Sequence, residues 1–241
     1  FDPRALRDLS EEQFLKPGNR AGALTIAHRL IQQRIIEQIP PSAMLRISAV
    51  IARLLRSGLG FAPGLGAVGG HLRNAGQWHR AAISDLSDAE HALAIHAHGP
   101  AAELFARATA GFERVNASAG RMALVHAGGG LAAWGDGNVT AALAASTDSA
   151  AAIAAAMPWR VRVRVGIAIV TGRRHWLSPR LALSLVRHAA LRSELGYFTG
   201  KLSDIMAGGL VFSRLGDDRT ATQLARTRSL GLLALGLGLI G

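Results

Sequence analysis

Residues Arg160–Thr171 read RVRVRVGIAIVT, and the reading of this stretch decides the fold. Val161, Val163, Val165, Ile167 and Ile169 occupy alternate positions, with Arg160, Arg162 and Arg164 on the opposite set. Period-two alternation with β-branched residues on one side predicts a half-buried strand whose arginines face solvent. A lone strand leaves its backbone groups unpaired. Arg121–His126 and Gly209–Ser213 are the short segments that offer it partners.

Outward from this stretch, helix signals dominate. Downstream, Ser178 before Pro179 reads as a cap opening a helix to about Leu195, closed by Gly196. Upstream, Val139–Met157 is alanine-rich and helical by propensity, and Ala101–Asn116 reads as helix after the Gly99–Pro100 break. Ser87 and Glu90 make a capping-box pattern opening a helix to about His98. Nearer the start, Ala23–Ile39 has an apolar face through Leu24, Ala27, Ile31 and Ile35, and Pro40–Pro41 ends it. Ser42 then opens a helix to about Arg56, with a stripe of Arg46, Ala49, Arg53 and Arg56; Ile47, Val50, Ile51, Leu54 and Leu55 are expected to form its packing side. At the start, Asp2–Pro3 reads as a helix cap, and Ser10 with Gln13 as a capping box stapled by Leu9 and Phe14. Gly58–Gly76 and Gly128–Gly137 read as glycine-rich breaks, and no internal repeat is evident.

The expected fold is mainly α, a helical domain with a small β element around residues 160–171; α+β is the second choice. A helical hairpin region over 1–57 and a main domain over 77–241 are expected, with one continuous domain 1–241 as the other division. The longest uncharged runs, Ser57–Leu72 and Ser229–Gly241, fall short of the roughly 18–20 apolar residues a span requires, so no membrane-crossing segment is expected. Gly231, Gly236 and Gly238 in the second run would permit close helix approach. The chain opens on Phe1, which leaves room for a removed targeting segment.

Composition bounds the chemistry. The 241 residues include 25 Arg, two Lys and no Cys, with a formal net charge of +11. Without cysteine there is no disulfide scaffold, thiolate zinc site, iron–sulfur cluster or thiol nucleophile. The hydrophobic content of 49% excludes an intrinsically disordered chain. Aromatics at 5% weigh against a single-strand reader that stacks bases.

The charge is unevenly placed. Residues 81–148 carry three basic and seven acidic side chains, whereas residues 149–193 carry eight basic and none acidic. Those eight are Arg160, Arg162, Arg164, Arg173, Arg174, Arg180, Arg187 and Arg192. Like charges gathered in one element repel and call for an offset. The Arg-rich strand–turn–helix over 160–192 is therefore expected to bind anions or a partner. An acidic protein surface or the chain's own acidic segment 81–148 is the first expectation, nucleic acid and an anionic membrane surface the others. Membership of an oligomer or complex goes with it.

A second cluster is His91, His96 and His98, with Asp88, Glu90 and Glu103 nearby. Imidazole and carboxylate are ligands for zinc or another divalent metal. Leu93–Pro100 (LAIHAHGP) resembles the HxH metal motif of class II aldolase-like proteins over eight residues, which implies a strand delivering His96 and His98 to zinc. Gly64, Gly66 and Gly69 satisfy GxGxxG, and Val125–Gly130 (VHAGGG) reads as a strand entering a phosphate-cradling loop or as a plain turn. Asp217–Asp218 beside Arg214 and Arg219 reads as a charge-paired loop. No GxSxG, HExxH, EF-hand loop or ExxH pair is present. Three functions from different classes follow. The first is a non-catalytic helical subunit docking 160–192 on an acidic partner, with no cofactor. The alternatives are a nucleic-acid phosphate binder and a metal-dependent enzyme using His91, His96 and His98.

Overall fold

A computed structural model describes residues 29–57 and 64–215, preceded by positions 4, 8, 11, 14–17 and 24–26. The expected caps at Asp2–Pro3 and Ser10–Gln13, the Asp217–Asp218 loop and the glycines at 231, 236 and 238 lie outside the described residues. A short antiparallel ladder pairs β1 (Leu15–Pro17) with β2 (Leu24–Ile26), Leu15 opposite Ile26. The rest is helical: α1 (Arg29–Gln38), α2 (Pro41–Arg56), α3 (Ala67–Asn74), α4 (Trp78–Ala94), α5 (His98–Arg114), α6 (Ala119–Gly135), α7 (Val139–Ala156), α8 (Trp159–Thr171), α9 (Pro179–Thr199) and α10 (Leu202–Leu215). The fold is mainly α.

The strand expected at 160–171 is α8 instead. Two periodicities overlap in this stretch, because valine at every odd position also supplies i, i+4 neighbours. The buried side runs through Val161, Val165 and Ala168, and Val163 and Ile167 turn to solvent. Ala168, on the arginine side of the alternation, is wholly buried, which no strand reading allows. Pro158 and Gly172 frame the helix. The Pro158 carbonyl accepts from the N–H groups of Val161 and Arg162, and Gly172 closes the end at φ 69°. A helix satisfies its own backbone groups, whereas the proposed partner strands are themselves helix, Arg121–His126 within α6 and Gly209–Ser213 within α10.

Other expectations shift for identifiable reasons. Leu24–Ile26 is strand, so the helix expected from Ala23 begins at Arg29. The helix expected from Ser87 begins at Trp78. On α2 the buried positions are Ser48 and Ala52, and Ile47, Val50 and Leu54 are exposed, so the packing side is the one with small residues. Gly128–Gly130 lie inside α6 and break nothing. A side chain on Gly128 would strike the Phe105 ring of α5, and one on Gly130 would strike Leu191 of α9. Glycine serves there as a close-approach surface between helices.

Neighbouring helices pack in sequence: α2 on α3, α3 on α4, α4 on α5, α5 on α6 and α6 on α7. α9 then lies against α6 and α7, and α10 against α9. One device closes the successive turns. The N–H groups of Gln77, Ala97, Ala117 and Asn138 bond the carbonyls of Leu72, Ala92, Phe112 and Ala133. In each case the preceding residue, Gly76, His96, Asn116 or Gly137, is left-handed and bonds the carbonyl three residues back. This is the Schellman closure. Its near-constant interval is a repeat of geometry hidden from the sequence because Gly, His and Asn all tolerate the left-handed region. The largest core cluster joins α4, α5 and α6 through Ala89, Leu93, Leu104, Phe105, Phe112 and Val125. A second joins α8, α9 and α10 through Val165, Ala168, Val186, Ala190 and Leu215.

Candidate functional site

The Arg-rich element is helix–turn–helix. Thr171 ends α8, a 3-10 turn spans Arg174–Trp176, and Ser178 caps α9 by accepting from the Leu181 N–H at 3.3 Å. With Val161, Val165 and Ala168 turned inward, α8 presents Val163, Ile167 and Val170 to solvent at i, i+4 and i+7. Arg160 and Arg164 flank that stripe on one side and Arg162 on the other. Trp159, 70% exposed, stands at its start.

The eight arginines do not form one face. Arg160, Arg162, Arg164, Arg173 and Arg180 are exposed. The Arg160 guanidinium sits 5.5 Å from the Trp159 ring centre, and that of Arg173 lies 5.0 Å from Trp176. Arg162 donates from Nε to the Met157 carbonyl at 2.9 Å. Arg174 is half-buried within the 3-10 turn. Arg187 turns inward, whereas Arg192 is exposed but ion-paired within the chain. Arg187 pairs with Glu90 of α4 at 3.2 Å, and Arg192 with Asp204 of α10. Burial holds the Arg187 pKa below its ordinary range, against the opposing pull of Glu90. His188 beside them is pushed down to about 4, first by burial and then by the Arg192 charge, with Asp204 opposing.

The histidines are placed by the helix junctions. His91 is exposed on α4, His96 is the left-handed residue of the α4–α5 turn at φ 59°, and His98 begins α5. The tract expected to be a strand is therefore a helix end, a turn and a helix start. The His96 and His98 rings lie 5.8 Å apart and tilted. Among the described residues no three His, Asp or Glu side chains are placed to share a metal ion.

The glycine motif at Gly64, Gly66 and Gly69 opens α3 from a turn. Its donors meet the chain's own carboxylates. The Gly66 N–H, at φ 75°, donates to Asp88 Oδ2 at 2.8 Å, and Gly69 lies directly against Asp85. Asp85 is completely buried and pairs with Arg73 of α3. Burial raises its pKa, and Arg73 pulls it back. The VHAGGG tract, expected as a strand and loop or a plain turn, lies inside α6. Among the described residues one helix, α7, has the length and composition of a membrane span, with 18 residues at a mean hydropathy of 1.3. Asp148 interrupts its otherwise uncharged run. It packs on α6 and α9 while leaving most of its surface open.

Sequence reasoning missed a further basic site. Arg53, Arg56 and Arg80 meet at a cleft between α2 and α4. The arginine stripe on α2 was its one signal, and Arg80 arrives from another helix. Comparison with protein-family models, curated proteins and solved structures finds no match for this chain.

Proposed function

We propose that the chain is a non-catalytic helical subunit that docks the α8–α9 element on an acidic protein partner. The observation that carries this reading is the outward face of α8. Val163, Ile167 and Val170 are 53%, 42% and 72% exposed, and they are bordered by Arg160, Arg162 and Arg164 with Trp159 alongside. Interface centres are enriched in tryptophan and arginine around apolar contacts, and a face evolved only for solvation has no use for three adjacent aliphatic residues. The complementary partner presents an apolar strip edged by carboxylates. Because Arg187 and Arg192 are ion-paired within the chain, the docking charge resides in Arg160, Arg162, Arg164, Arg173 and Arg180.

The test compares the wild type with a triple variant, Arg160→Glu, Arg164→Glu and Arg173→Glu, purified from the native source. These exposed positions leave the thermal midpoint unchanged, and a stoichiometric acidic protein is expected to be lost. Equal retention by the variant removes the reading. Retention of duplex nucleic acid, lost steeply as salt rises, would transfer it to phosphate backbones.

A further inference from the structure

A second basic feature lies far from α8 in sequence. Between Glu37 and Asp85 the chain has no Asp or Glu, yet it contains Arg46, Arg53, Arg56, Arg73 and Arg80. Folding separates them. Arg73 is committed to Asp85. Arg53 and Arg56, from the last turn of α2, and Arg80, from the first turn of α4, converge on a cleft of about 360 Å³. Ser57 and Gln77 complete the polar lining, and the buried Ala52 and Leu72 supply an apolar one. No carboxylate lines the cleft, and none of the three arginines is ion-paired among the described residues.

We propose that this cleft binds the phosphate group of a small phosphorylated molecule. Arg53, Arg56 and Arg80 are exposed at the rim of one cleft, and an anion held there offsets the like charge they gather. Guanidinium forks match phosphate oxygens in pairs. Ser57 donates its N–H to the Arg53 carbonyl and its hydroxyl to the Leu54 carbonyl, so two of the carbonyls ending α2 are engaged. Gln77 accepts from Arg80 Nη1 at 2.9 Å and so holds that guanidinium at the rim. The first turn of α4 carries no acidic residue, and its N–H groups add to the positive potential. The volume exceeds what a bare anion fills and lies in the range of small-molecule sites, so the organic part rests on Ala52 and Leu72.

The test is calorimetric titration of the full chain with adenosine 5′-monophosphate and, separately, with inorganic phosphate. One saturable site for the nucleotide is expected, with weaker, competing binding of inorganic phosphate. Arg53→Gln and Arg80→Gln should each weaken the nucleotide about tenfold, the loss of one charged hydrogen bond. Arg46→Gln, on the same helix outside the cleft, should leave it unchanged. Thermal unfolding of each variant establishes that the fold is retained. Absence of saturable binding by either probe, or equal effects of all three substitutions, overturns the proposal. So does inorganic phosphate binding as tightly as the nucleotide. Binding to phosphatidic acid vesicles with no response to the soluble probes would also overturn it, assigning the anion to lipid.

Discussion

Arg187 Nη1 of α9 donates to Glu90 Oε1 of α4 at 3.2 Å, across 97 residues of sequence. This contact joins the segment richest in arginine to the one richest in carboxylates. Arg187 is 13% exposed and Glu90 38%. Removing the acid strands a buried guanidinium, whereas replacing the base with an apolar side chain strands only a half-solvated carboxylate. Glu90→Ala is therefore expected to cost about 1–3 kcal/mol, short of the fully buried case because Glu90 reaches water. Arg187→Met should cost less, and urea unfolding of the two singles and the double variant measures the coupling. Equal losses in both singles would contradict the asymmetry.

His188 makes stability depend on pH. Its folded pKa of about 4 lies below the ordinary 6.5, so between those values the unfolded chain takes up a proton that the folded chain refuses. The contribution is complete above about pH 6.5 and is lost progressively as pH falls toward 4, amounting to ~3 kcal/mol. His188 Nδ1 is buried without a hydrogen-bond partner, so His188→Leu removes a desolvated group as well as the titration. Unfolding free energies at pH 7 and pH 5 should converge in that variant. A variant as pH-sensitive as the wild type would place the titration elsewhere.

The glycines of α6 are not equivalent. Gly130→Ala pushes a methyl group into the buried Leu191 and toward Ala145, and overpacking of that kind costs about 1–3 kcal/mol. Gly120, at the other end of the same helix, has nothing within 4 Å of the added methyl. Gly120→Ala should leave stability unchanged or raise it. Thermal midpoints moving in opposite directions are the expected result.

Gly166 tests the helical state of α8 directly. The position is exposed and open, so alanine there gains helix propensity without a clash, worth up to about 1 kcal/mol. A strand also prefers alanine to glycine, so the circular dichroism distinguishes the two states where the midpoint alone does not. A raised thermal midpoint for Gly166→Ala, with increased helical circular dichroism, is expected.

The sequence made α7 legible through its alanine propensity and the start of α9 through Ser178, which accepts a backbone N–H three residues on. The reading of α8 failed because Val161 and Val165 satisfy two periods at once, and the discriminating residues were Pro158, Ala168 and Gly172. The junctions at His96 and Asn116 carried no glycine to announce them. Of the candidate surface, the sequence located the arginines but not their partners. Arg187 and Glu90 are adjacent only after four intervening helices have stacked. The cleft at Arg53, Arg56 and Arg80 was illegible for the same reason, since neither contributing helix is unusual alone.

The recurring closures at Leu72, Ala92, Phe112 and Ala133 have a mechanical consequence. Each hinge is sealed locally by two backbone bonds, and each helix from α2 to α7 leans mainly on its immediate neighbours. Strain applied at one end is therefore taken up link by link and dies away along the row.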